Sequence, residues 1–146
     1  MKISKEGLEF LAEVEGNKLV AYRDTGGVLT IGVGHTSDEH LEVTPGLKIT
    51  HEKSMELLAI DVEEAEEVVK HMVSVPLTQH QFDALVSFVF NLGPTQFANS
   101  TLLRKLNGWD YVGAANQFKR WVYDNGKIQP GLVKRRYGEA EMFRRT

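Results

Sequence analysis

There is no cysteine among the 146 residues, which excludes a disulfide scaffold and a thiolate metal site and leaves a reducing compartment open. No run approaches the roughly eighteen consecutive apolar residues of a membrane-spanning helix. The opening stretch, MKISKEGLEFLAEVEG, sets Lys5, Glu6, Glu9 and Glu13 where an export signal needs an unbroken apolar segment, so no signal peptide and no membrane anchor are expected. Internal repeats and low-complexity linkers are missing too. With 42% hydrophobic residues the chain has enough apolar material for its own core, and it reads as one domain with room for two lobes.

What is present is unevenly distributed. Residues 1–73 carry 7 Lys/Arg against 15 Asp/Glu, whereas residues 74–146 carry 10 against 5. A basic C-terminal half can face a polyanion, either nucleic acid or an acidic wall polymer; it reads equally well as one of two solvated faces that attract each other.

The apolar spacing predicts a helix over 4–15, with Ser4 as N-cap, Leu8, Leu11 and Ala12 at helical intervals, and Gly16 as the stop. From 21 to 49 the runs VLTIGV and HLEV, broken by Gly-Gly, Ser-Asp and Pro-Gly, predict a small antiparallel sheet. Thr50 then caps a long amphipathic helix over 51–73 with a densely acidic outer face. After Pro76, Thr78 and Gln81 form a capping box for a helix that is apolar nearly all round and closes at Gly93. Helical pieces at 100–107, 110–123 and 131–144 follow, divided by Asn107-Gly108, Asn125-Gly126 and Pro130-Gly131. Phe118, Trp121, Tyr123, Tyr137 and Phe143 are assigned to the core. The expected fold is α+β: a sheet lobe over about 16–50, a connecting helix over about 51–73, and a helical lobe over about 74–146 packed with the N-terminal helix.

The stretch AYRDTGGVLTIGVGH, residues 21–35, admits several chemistries. An aspartic protease needs two such aspartates and aliphatic residues before each; here Tyr22-Arg23 precede a single Asp-Thr-Gly, so the chain would have to dimerise to pair it. A nucleotide loop fits less well still, because GVGHTS lacks the third glycine and no Walker lysine follows. Gly32 and Gly34 fall in a strand pattern, where glycine allows close approach and suits the floor of a cleft. The five histidines show no ligand spacing, HEKSM not being H-E-x-x-H, so no metal and no cofactor are expected.

A pair of carboxylates remains. Glu15 closes a helix, where the unsatisfied carbonyls disfavour a negative charge, while Asp24 opens a glycine-rich, wetter turn. Two carboxyls in unlike settings are what glycoside hydrolysis requires. The plainer alternative is that Glu15 has no partner role and Asp24 merely shapes a turn.

The spacing E-G-N-K-L-V-A-Y-R-D-T-G-G-V-L-T-I-G-V-G-H resembles the catalytic signature of the phage-type lysozymes, or endolysins. PLTQHQFDALVSFVFNLG is similar to that family's core helix, and GLVKRRYGEAEMF, with Arg135, Arg136, Glu139 and Phe143, to its closing motif. The resemblance implies a lysozyme-like fold and hydrolysis of the bond between N-acetylmuramic acid and N-acetylglucosamine in peptidoglycan. It implies Glu15 as general acid, Asp24 as second carboxylate and Thr30 as the holder of the attacking water. It also implies Thr36, Phe90 and Gln117 along the glycan, and Arg136 reaching back toward Glu15. His35, ending a strand, is assigned a supporting hydrogen-bonding or ion-pair role. The partner so implied is the glycan strand of the wall, with no nucleic acid and a monomeric enzyme. That enzyme would be held in the host cytoplasm until a separate pore-forming phage protein gives access to the wall. A lytic transglycosylase, which has no need of Asp24 or Thr30, and an inactive glycan-binding module are the alternatives.

Overall fold

A computed structural model describes residues 1–145. The order of elements is α1 (Lys5–Glu15), β1 (Lys18–Arg23), β2 (Leu29–Gly32), β3 (His35–Thr36), α2 (His51–Asp61), α3 (Glu63–Met72), α4 (Gln79–Leu92), α5 (Pro94–Ala98), α6 (Thr101–Asn107), α7 (Tyr111–Ala115), a 3-10 turn (Phe118–Arg120), β4 (Tyr123–Asp124), β5 (Lys127–Ile128) and α8 (Pro130–Arg144). They gather into two compact units, a hairpin unit, Leu8–Glu63, and a helical unit made of Met1–Gly7 with the chain from Glu64 on.

In the hairpin unit, β1, β2 and β3 form an antiparallel sheet in chain order, Tyr22 facing Thr30 and Ile31 facing His35. The sheet packs on α2. Gly32 allows this approach: it sits at φ +63, and a Cβ there would come within 2.8 Å of Ser54 Oγ on α2. The segment HLEV is no strand. Three of its N–H groups are taken instead by side chains, those of His40 and Leu41 by Asp38 and that of Val43 by Ser37 Oγ. Buried apolar side chains are Leu11, Ala12, Ile31, Val33, Val43, Leu57, Leu58 and Val62.

The expected single helix over 51–73 is two helices, α2 and α3, interrupted at Val62. Val62 still donates to Leu58 O at 3.0 Å, but its ψ of −4 is far from the helical value, so the ladder restarts at Glu63.

In the helical unit α8 lies along α4, whose Thr78–Gln81 capping box is complete. Phe88 on α4 is the hub of the core: Phe118, Trp121 and Phe97 meet its ring edge-on with centroids at 5.2, 5.8 and 6.2 Å. Two buried carboxylates hold the start of the chain here. Glu66 accepts from Ile3 N–H at 2.7 Å, and Asp83 from the N–H and hydroxyl of Ser4, which is also the N-cap of α1. Two expectations about this unit fail. Tyr123 and Tyr137 are 60% and 72% exposed and are not core. The helix expected over 110–123 stops at Ala115, and Asn125-Gly126, both at positive φ, turns a short β4–β5 hairpin.

Candidate active site

Glu15 is the last residue of α1 and is exposed. The helix ends there because Gly16 adopts φ +88 while its N–H still closes onto Ala12 O at 3.0 Å. Asp24 follows β1 at the mouth of the hairpin turn. One of its oxygens, Oδ1, accepts from the N–H groups of Gly26 and Val28, both at 2.9 Å. Asp24 N–H donates to Val28 O, and Gly27 N–H donates to Asp24 O, again at 2.9 Å. The turn is thereby wrapped around a single carboxylate oxygen, and Oδ2 carries no protein hydrogen bond among the described residues.

Thr30 lies two residues after Val28 and is 3% exposed. Its hydroxyl donates to Val28 O at 2.9 Å, so the hydroxyl proton is committed and the oxygen lone pairs are left to accept. One residue's backbone, that of Val28, therefore ties Asp24 and Thr30 together. Nothing in a valine side chain marks it for that task.

Thr36 is exposed and pairs with Thr30 across β2 and β3. Beside it, His35 is 3% exposed and both ring nitrogens are engaged, Nδ1 with Asp61 at 2.7 Å and Nε2 with Asp38 at 3.1 Å. Burial pushes the imidazole down; the hydrogen bonds and charges of Asp61, then of Asp38, outweigh it and raise it above the ordinary 6.5. For Asp38, desolvation pushes up, but the N–H of His40, the His35 ring and the N–H of Leu41 bring the carboxyl below its ordinary 3.8. Atoms of these three residues lie within 4.8 Å of one another, close enough to share a cation. Both ring nitrogens are already turned to carboxylates, and an imidazolium does not bind a metal.

Phe90, Gln117 and Arg136 belong to the helical unit. Phe90 is half-buried near the end of α4, and Gln117 half-buried just before the 3-10 turn. Arg136 is buried on α8. Its guanidinium donates to Trp121 O at 2.9 Å, to Glu139 and to Asn91, and lies 5.1 Å from the Phe88 ring centroid. Glu139, fully buried, also accepts from Ser87 Oγ at 2.6 Å and from Arg135 Nε at 3.2 Å. One carboxylate thus orders two guanidinium groups.

A small antiparallel sheet that follows the first helix and is itself followed by a run of helices is a lysozyme-like α+β fold. The sequence profile of the phage lysozyme family matches residues 12–139, and the chain belongs to that family of peptidoglycan-cleaving glycosidases. The endolysin of Salmonella phage P22 is 44% identical over 144 residues, with 98% of each chain covered. The crystal structure of a point mutant of P22 lysozyme superposes with a TM-score of 0.91, at 44% identity and 98% coverage of both chains. The muramidase domain of SpmX from Asticaccaulis excentricus does so at 0.85, with 36% identity and 99% coverage of each. Among the described residues no helix is long and apolar enough to cross a membrane.

Proposed function

We propose that the protein is a muramidase that hydrolyses the β-1,4 bond between N-acetylmuramic acid and N-acetylglucosamine. Glu15 gives its proton to the bridging oxygen, which leaves with the electron pair of the C1–O bond. Water adds to C1 from the opposite face and loses a proton to Asp24, while Thr30 Oγ1 accepts the water's other hydrogen. Attack from the far face inverts the anomeric centre, and requires carboxyl groups about 6.5–9.5 Å apart to seat the water. The observation that carries this reading is the Val28 backbone, which fixes Asp24 and the acceptor side of Thr30 on one hairpin. A transglycosylase would have no use for that pairing. Phe90, Thr36 and Gln117 are assigned to the glycan, in line with the family motifs. Delivery to the wall is assigned to a separate pore-forming phage protein.

The test is a digest of purified peptidoglycan in H2(18)O, read by mass spectrometry. Reducing muramic acid ends carrying one heavy oxygen are expected, with the label entering as the α-anomer. Anhydromuramic ends would replace hydrolysis by transglycosylation, and a folded Glu15→Gln variant of parental activity would remove the acid. A folded parent that releases nothing would leave a glycan-binding module.

A further inference from the structure

The turn that follows Glu15 is held by a chain of polar side chains that the mechanism above does not use. Asn17, one residue past Gly16, stands between the end of α1 and the start of β1. Ser54, 1% exposed on α2, donates its hydroxyl to Asn17 Oδ1 at 2.6 Å. With Oδ1 so occupied, the amide presents Nδ2 to His51 Nδ1, 3.2 Å away. His51 Nε2 in turn meets Glu9 Oε1 on α1 at 2.9 Å. The directions are not free. An amide nitrogen only donates, so His51 Nδ1 must be the bare nitrogen, and a carboxylate only accepts, so Nε2 must carry the hydrogen. The four residues form one directed relay, Ser54 to Asn17 to His51 to Glu9, complete only with the neutral Nε2–H tautomer of His51.

We infer that Asn17 is a positioning residue for Glu15: its carboxamide, held from α2 at both ends, fixes the path of the chain leaving the catalytic helix. The helix constrains Glu15 from its N-terminal side through the Gly16–Ala12 hydrogen bond. On the C-terminal side Gly16 is at φ +88, a residue with unusual backbone freedom, and the Asn17 carboxamide next to it is anchored on α2. Gly32 completes the arrangement, since its missing Cβ lets Ser54 Oγ approach β2, and Gly32 pairs with Lys18 immediately after Asn17. A shift of about 1 Å in a catalytic group costs on the order of a hundredfold in rate, so a lock on this turn acts on turnover and not on substrate affinity.

The inference rests on Glu15 as the proton donor, and the experiment separates the two. Asn17→Ala and Ser54→Ala are assayed on soluble peptidoglycan fragments beside the parent and Glu15→Gln, with circular dichroism and thermal unfolding confirming the fold. Expected is a fall in kcat of at least about tenfold in both relay variants with KM unchanged within about twofold. In the folded parent, nitrogen-15 imidazole spectra are expected to show His51 as the Nε2–H tautomer; in Asn17→Ala the Glu9 contact keeps the hydrogen on Nε2, and the Nδ1 resonance shifts as it loses the amide donor. Should Asn17→Ala unfold, Ser54→Ala, which deletes only a hydroxyl, carries the kinetic arm. Parental kcat in a folded Ser54→Ala, or an Nδ1–H tautomer in the parent, overturns the positioning role. Full activity in Glu15→Gln overturns the acid assignment together with it, whereas an inactive Glu15→Gln beside parental kcat in the relay variants overturns the positioning role alone.

Discussion

The two units solve the same problem with different materials. Among the described residues the helical unit contains 20 of the 28 buried apolar side chains, five of them phenylalanine, whereas the hairpin unit has eight and no buried phenylalanine, tyrosine or tryptophan. Their charge differs as well, 13 Lys/Arg against 9 Asp/Glu in the helical unit and 4 against 11 in the hairpin unit. What the hairpin unit lacks in packing it replaces with directional bonds: Asp24 to its own turn, His35 to Asp61 and Asp38, and Asn17 to Ser54. Packing tolerates small shifts, and hydrogen bonds fix atoms. The candidate catalytic groups Glu15, Asp24 and Thr30 are all in the hairpin unit.

If this contrast holds, the largest loss of stability comes from the ring at the centre of the helical unit. Phe88→Ala removes three edge-on aromatic contacts and the face beneath Arg136, and is expected to cost about 3–5 kcal/mol in urea unfolding. A loss near 1 kcal/mol would mean that the core closes over the gap, and packing would no longer set the helical unit apart. Next comes a backbone position in the hairpin unit. Gly32→Ala meets both a left-handed φ of +63 and Ser54 Oγ at 2.8 Å, and is expected to cost about 1–3 kcal/mol with a loss of turnover beyond the folded fraction. A variant with parental stability and kcat would show that α2 and β2 have slack.

The sequence makes one half of this contrast easy to read and the other half hard. Helix ends are local, so Ser4, Gly16, Thr50, Thr78 and Gly93 are legible from residue type alone, and the Thr78–Gln81 box is seen in full. The candidate site is legible as residue types at a spacing, Glu15, Asp24 and Thr30. The parts that organise it are not. The Val28 backbone has no side-chain signature, and the ties from Ser54 to Asn17 and from Asp61 to His35 join residues 37 and 26 positions apart. Asn125-Gly126 carries a hairpin signal that reads as a helix break, because the strands it joins are only two residues long. Tyr123 and Tyr137 look like core residues for being aromatic, but hydrophobicity has no power to say which face of a helix or hairpin meets solvent.

The pH dependence of stability should belong to the hairpin unit. His35 is raised in the folded protein, so its contribution is complete below its ordinary 6.5 and disappears as pH rises through the higher folded value. Asp38 is lowered, and its contribution is present above its ordinary 3.8 and fades as pH falls through the lower folded value. Stability from this cluster is therefore greatest between the two ordinary values and declines on the alkaline side by at most about 1.4 kcal/mol per pH unit, the limit for one proton. His35→Gln should flatten that alkaline slope in urea titrations at a series of pH values. An unchanged slope would assign the titration elsewhere.

The smallest expected effect compares the units through a feature they share. Each has one helix capped by a threonine, Thr50 accepting from Lys53 N–H at 3.0 Å and Thr78 from Gln81 N–H at 3.1 Å. Only the second is reciprocated, with Gln81 Oε1 accepting from Thr78 N–H at 2.9 Å. Thr50→Ala and Thr78→Ala should each cost about 1 kcal/mol, since each frees one backbone donor at a helix start. Gln81 keeps its bond to residue 78 when the threonine hydroxyl is removed, so the second box arm is probed by Gln81→Ala, which should cost a few tenths more than zero but less than either cap. The informative result is the ratio of the two threonine variants. If capping is a local matter the costs agree within about 0.5 kcal/mol despite the different cores; a Thr50 cost well above that of Thr78 would mean that the start of α2, which also carries His51 and Ser54, supports the polar relay as well as its own helix.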